Sequence, residues 1–103
     1  MTETITDPAE MAARAAEAAT FLKALAHEGR LMILCHLSGG ERSVSELEQL
    51  LGQRQAAVSQ QLARLRDEGL VTCRAEGKAR LYSIADPNAA RIVGLLAEMF
   101  CTP

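Results

Sequence analysis

Apolar positions along this chain recur at steps of three and four, except in one stretch where they alternate. The best-defined helical segment is Gln53–Glu68, in which Val58, Leu62 and Leu65 form one buried stripe and Gly69 closes the run. Upstream, Asp7-Pro8-Ala9-Glu10 reads as a helix start, with a carboxylate at the N-cap, proline at N1 and an acid at N3. The helix it opens carries Met11, Ala15, Ala18, Ala19 and Leu22 along one side, with a bend expected near Thr20. His27–Leu37 predicts a second helix, with Leu31, Leu34 and Leu37 inward and Gly39-Gly40 ending it. Ser43-Val44-Ser45-Glu46 is a capping box for a short helix whose Leu47, Leu50 and Leu51 face the core, and Gly52 supplies the turn after it.

After Gly69 the period falls to two. Leu70–Arg74 and Arg80–Ile84 predict two strands joined by residues 75–79. Asp86-Pro87 then opens a last helix with Ile92, Leu95, Leu96 and Met99 as its stripe, widened by Val93 and Phe100, and ending at Cys101. Gly94 inside that helix costs about 1 kcal/mol relative to alanine and suggests close approach of another backbone.

The order ααα-α-ββ-α defines a mostly α (α+β) chain of the winged helix-turn-helix type. The expected organisation is a single domain over 1–103, with 1–6 loose, a helix-turn-helix over 44–69, a wing hairpin over 70–85 and a dimerisation helix over 87–101. A chain of 103 residues with few aromatics builds a thin core. The alanine-rich first helix and the broad stripe of the last therefore predict a homodimer formed through both terminal helices.

The exposed face of Gln53–Glu68 differs from an ordinary solvated helix. Gln55 and Ser59 are four apart, as are Gln60 and Arg64, with short Ala56 and Ala63 among them. Amides, a hydroxyl and a guanidinium between small side chains suit close approach to base edges and phosphates. Charge agrees: the whole chain carries −2, whereas residues 53–80 hold Arg54, Arg64, Arg66, Arg74, Lys78 and Arg80 against Asp67, Glu68 and Glu76. A basic surface on an acidic body fits local contact with a phosphate backbone. Gln55, Ser59 and Gln60 are the expected base readers, and Arg54, Arg64, Lys78 and Arg80 the expected phosphate ligands, with Arg74 also along the wing. The helix lacks a good N-cap, since Gln53 or Arg54 stands where Ser or Thr is favoured, but this leaves Arg54 free to reach phosphate.

The N-terminus has no basic leader and its alanine run is broken by Arg14 and Glu17, so it does not read as a signal peptide. No apolar run approaches a membrane span, and the expected location is the cytoplasm. Cys35, Cys73 and Cys101 form no CxxC pair. By spacing alone, Cys35, four residues after Leu31, reads as a small core residue. Cys101, at a helix C-terminus beside Pro103, is harder to bury, and the helix dipole there disfavours a thiolate, which makes Cys35 one candidate for first attack while the order of the two thiols stays open. Cys73 reads as structural. His36 points about 100° around the helix from Cys35 and reads as a surface residue. No Ser/His/Asp set, paired carboxylates or Gly-rich phosphate loop is visible, so neither an enzyme nor a cofactor is expected.

Leu25-Ala26-His27-Glu28-Gly29-Arg30-Leu31-Met32-Ile33-Leu34, Ser43-Val44-Ser45-Glu46-Leu47, Ala57-Val58-Ser59-Gln60-Gln61-Leu62 and Leu65-Arg66-Asp67-Glu68-Gly69-Leu70-Val71 resemble the ArsR family of dimeric winged-helix bacterial repressors. The His27–Arg30 segment with Cys35, Arg54–Gln61, and a cysteine ending the last helix resemble its persulfide-responsive (SqrR/BigR-like) branch. That resemblance implies that Cys35 and Cys101 are the sensor pair, linked by reactive sulfur species directly or through extra sulfur atoms, with release of double-stranded operator DNA. It also implies an inverted-repeat operator with half-sites about one turn, ~10 bp, apart. His27 stands where many family members have a capping aspartate, so capping or an indirect contact is expected of it. The family's metal sites have no counterpart here, because 44–51 lacks Cys and His and the last helix lacks His. Two alternatives stay open: a metal-responsive relative using the cysteines as soft ligands, and a winged helix used for protein contact.

Overall fold

A computed structural model of the chain describes residues 7–101. The elements are α1 (Pro8–Leu25), α2 (Glu28–Leu37), β1 (Arg42–Ser43), α3 (Val44–Leu51), α4 (Gln55–Asp67), β2 (Val71–Glu76), β3 (Ala79–Ile84) and α5 (Pro87–Cys101). The described residues thus form a winged helix-turn-helix of five helices and a small antiparallel sheet. Residues 1–6, expected to be loose, and Thr102-Pro103 lie outside the described residues.

Local chemistry sets most boundaries. The Asp7 carboxylate accepts from the Glu10 N–H at 3.3 Å, with Pro8 opening α1. The Thr20 hydroxyl donates to the Ala16 carbonyl within α1, which runs as one helix through that position. Ser43 and Glu46 form a reciprocal capping box at 3.1 and 2.9 Å, and Gly52 ends α3 in a left-handed conformation, φ 65°. At the end of α4, Gly69 (φ 75°) lets the Gly69 N–H reach the Arg66 carbonyl and the Leu70 N–H the Leu65 carbonyl. Asp86 caps α5 by accepting from Asn88 and Ala89 N–H at 2.8 and 3.0 Å.

The sheet order is β1-β3-β2. The expected hairpin is present, but its strands run longer than the alternation indicates, leaving only Gly77 and Lys78 as the turn. The third strand, β1, pairs Arg42 with Tyr82 and Ser43 with Leu81. Two residues are too few to show a period, which is why hydropathy does not announce it.

The core joins Ile33, Leu34 and Leu37 of α2, Leu47 of α3, Val58, Leu62 and Leu65 of α4, Leu70, Val71, and Ala89 and Val93 of α5. Leu31, Leu51 and Ile92 pack at its margin. Leu50, expected inward, is 45% exposed; in α3 the burial falls on Leu47, with Val44 and Leu51 at the margin. α1 buries only Leu25, with Phe21 and Ala24 half-buried, and leaves Met11 and Leu22 exposed. α5 buries Ala89 and Val93 and leaves Leu95, Met99 and Phe100 outside. Among the described residues Gly94 meets no neighbouring atom within 4 Å of where a Cβ would stand, so the close backbone approach expected there is not made by them.

Candidate nucleic-acid interface and thiol cleft

α4 is held from beneath by Val58, Leu62 and Leu65, which are fully buried, so its opposite face is fixed in direction. Gln55, Gln60, Arg54 and Arg64 are exposed and Ser59 is half-buried. Arg54 occupies the N-cap without a side-chain cap bond, as its sequence position indicates, and among the described residues neither Arg54 nor Arg64 forms an ion pair. Free guanidiniums on a polar face can meet an anionic partner without first breaking an internal bond. Lys78 stands in the two-residue turn of the wing and Arg80 at the start of β3, both exposed. The Arg80 guanidinium lies 3.8 Å from the Cys73 sulfur, which places Cys73 inside the wing and away from the other two thiols.

Arg74 departs from expectation. Its guanidinium donates to both Glu41 carboxylate oxygens, at 2.7 and 2.9 Å, and also pairs with Glu76 at 2.9 Å. The Arg74 contact holds the Glu41 carboxyl below its usual range, and the carboxylates in turn hold Arg74 charged. Arg74 therefore ties the wing to the segment before β1, and is committed there before any phosphate arrives.

The second site lies between α2 and α5. Cys35 and Cys101 line one cleft of about 480 Å³ together with Leu31, Met32, Leu96 and Phe100. Cys35 is half-buried and Cys101 exposed. Burial first, and the nearby Cys101 second, push the Cys35 thiol above its ordinary value. Burial thus disfavours the Cys35 thiolate, which weighs against Cys35 as the first of the two thiols to attack. His36 also lines this cleft and is half-buried, so it is not the plain surface residue that its helical angle indicates. His27 sits at the N-cap of α2 but makes no side-chain capping bond. Its ring instead lies beside Gly29, together with the Gln61 amide of α4.

Sequence reading passes over the bolts that connect the two sites. Arg30 of α2 donates to the Ala24 carbonyl of α1 at 3.1 Å and forms an ion pair with Glu68, the residue that ends α4. The Gln61 Oε1 is buried without a hydrogen-bond partner among the described residues. The helix that carries Cys35 is therefore fastened to α4 by an ion pair and by side-chain packing over Gly29. No three His, Cys, Asp or Glu side chains among the described residues converge as metal ligands. No helix among them is long and apolar enough to cross a membrane.

A helix-turn-helix with a solvent-facing Gln/Ser/Arg surface and a basic wing tip defines a DNA-binding transcriptional regulator, not an enzyme. The chain belongs to the ArsR family: residues 27–72 match the profile described as bacterial regulatory protein, arsR family, and relatives align along nearly its whole length. It is 48% identical over 93 residues to the biofilm growth-associated repressor of Agrobacterium fabrum, covering 90% of this chain and 80% of that one. Among solved structures it is similar to the transcriptional repressor BigR from Xylella fastidiosa (43% identity, TM-score 0.84, 92% and 94% of the two chains). It is also similar to reduced HlyU from Vibrio cholerae (41% identity, TM-score 0.82, 90% and 98%).

Proposed function

We propose that the protein is a homodimeric, cytoplasmic repressor that leaves its operator when reactive sulfur species link Cys35 to Cys101 through a disulfide or a polysulfide bridge. The observation that carries this reading is the shared cleft. Two thiols 66 positions apart in sequence line it together, close enough for one to shift the other's ionisation. The resemblance to a repressor family and the description of one relative's structure as a reduced form support it.

Gln55, Ser59 and Gln60 read base edges in the major groove, while Arg54, Arg64, Lys78 and Arg80 hold phosphates. The single domain spans 1–103, with 44–69 presenting the helix-turn-helix and 70–85 the wing. The dimer forms where α1 and α5 leave apolar surface uncovered: Met11 and Leu22 on one helix, Leu95 and Met99 on the other, flanking a groove lined by Phe21 and Ile92. A bond between Cys35 and Cys101 ties α2 to α5, and the fastening of α2 to α4 carries that constraint to the reading helix.

Fluorescence anisotropy on an operator selected from a randomised duplex pool tests the reading. Reduced protein binds with an affinity that falls with salt, and inorganic polysulfide weakens binding by about 5- to 150-fold, the usual span of allosteric coupling. Cys35→Ser keeps the reduced affinity and loses the response. A Cys35→Ser protein that still leaves DNA after treatment overturns the sensor role. Release produced by zinc, cadmium or arsenite in place of polysulfide overturns the sulfur assignment.

A further inference from the structure

The cleft that holds the thiols is larger than a disulfide needs. At about 480 Å³ it falls in the size range of small-molecule sites, and its walls are chiefly carbon: Leu31 and Met32 from α2, Leu96 and Phe100 from α5. Among the described residues the one formal charge in its lining is an anion, the carboxylate of Glu28, and no lysine or arginine lines it. Phe100 is 77% exposed, so the α5 wall stands open to solvent. The groove between α1 and α5, lined by Ile92, Leu95 and Glu98 among others, lies on the opposite face of α5 by helical spacing. A second copy seated in that groove leaves the thiol cleft open.

We propose that this cleft binds the carbon tail of an uncharged organic persulfide, and that such donors, rather than anionic peptide persulfides, are the preferred inducers. The inference rests on the sulfur-sensing reading above. An apolar tail gains by leaving water for these walls. A donor with carboxylates meets Glu28 and, beyond the His36 imidazole, finds no lysine or arginine in the lining, so it gains less from this cleft than an apolar tail does.

The chemistry balances without another reactant. Cys101, the more exposed of the two thiols, gives up its proton as it attacks the terminal sulfur of R–S–SH; the donor's S–S bond breaks, a new S–S bond forms, and RS⁻ leaves and takes up that proton as RSH. The Cys35 sulfur then attacks the Cys101 sulfur of the protein persulfide, expelling hydrosulfide, which takes the Cys35 proton and leaves as H₂S. Two protein thiols are oxidised to one disulfide, and the donor's outer sulfur is reduced to sulfide.

The test compares butyl hydropersulfide, glutathione persulfide and inorganic tetrasulfide. The rate of Cys35–Cys101 linkage is followed by mass spectrometry, and each donor is normalised to its rate with an unstructured cysteine peptide. Butyl hydropersulfide is expected to exceed glutathione persulfide by about tenfold, the factor from burying roughly two methylenes. Met32→Lys, an exposed rim position that gains a cation, is expected to abolish that preference, and Phe100→Ser to reduce it. Equal normalised rates for the two organic donors, or a preference unchanged in both variants, overturn the inference. Inorganic tetrasulfide separates the two levels. If it links the thiols while the organic donors do not differ, only this inference fails; if it links nothing, the sulfur-sensing reading fails first.

Discussion

The two faces of this chain are built from opposite materials. The α4 face is exposed and polar and, among the described residues, without ion pairs at Arg54 and Arg64, over a stripe buried to 0% at Val58, Leu62 and Leu65. The α2–α5 cleft is walled by carbon, half-open, and holds a thiol shifted by its surroundings. A surface that meets a polyanion must keep its cations free. A site that reacts selectively must control the ionisation of its sulfur. One core lies between the two faces and draws its buried residues from α2, α4 and α5.

The largest expected effect is the one that breaks both faces at once. Leu62→Ala, at the centre of the stripe under α4, is expected to cost about 2–5 kcal/mol in urea unfolding. DNA binding and cleft reactivity should then fail at the same denaturant concentration; separate midpoints would show that the faces do not share one core.

Ser43→Ala removes the N-cap of α3 and is expected to cost about 1 kcal/mol, lowering the melting temperature by about 4–8 °C. Reactivity at the cleft, on other elements, should be unchanged. Arg64→Ala separates the faces more cleanly: operator affinity should weaken on all sequences alike, with the salt slope reduced by about 1, while the rate of thiol linkage stays as it was.

The pH dependence of Cys35 sharpens the comparison from the other side. Its folded value is raised, by burial and then by Cys101, so the folded state holds that proton longer than the unfolded chain does. The corresponding stability is fully present below the unfolded thiol's ordinary value and is lost as pH rises through the folded one. Alkylation of Cys35 followed against pH should therefore turn on later than that of an unstructured cysteine. Cys101→Ser should shift the curve only part of the way back, because burial is the larger cause.

The smallest effect is expected at Arg74. Although it is basic and on the wing, Arg74→Ala should change operator affinity less than Arg80→Ala in the same anisotropy assay, because its guanidinium is already engaged by Glu41 and Glu76. A larger loss at Arg74 would mean that DNA outcompetes those carboxylates.

The contrast between Arg64 and Arg74 also marks how far the sequence carries. Both are arginines in one basic stretch, and composition treats them alike. Arg74 is distinguished by Glu41, 33 positions earlier, which reaches it only when the wing folds back toward β1. The Arg30–Glu68 pair spans 38 positions and is silent in the sequence for the same reason. The exposure of Leu50 shows the same limit: a three- and four-residue period marks a helix and a stripe, but which edge of that stripe meets a neighbour depends on the neighbour.

What the sequence determined alone was everything governed by short-range rules. Asp7-Pro8, Ser43–Glu46, Gly52, Gly69 and Asp86-Pro87 mark helix ends because capping bonds reach only two to four residues. The stripe of α4 and the alternation after Gly69 follow from the fixed periods of helix and strand. Tertiary structure decided what lies between elements: the third strand, the commitment of Arg74, the fastening of α2 to α4, and the meeting of Cys35 with Cys101 in one apolar cleft. Those features depend on how helices and strands pack, and packing brings together residues that no local period relates.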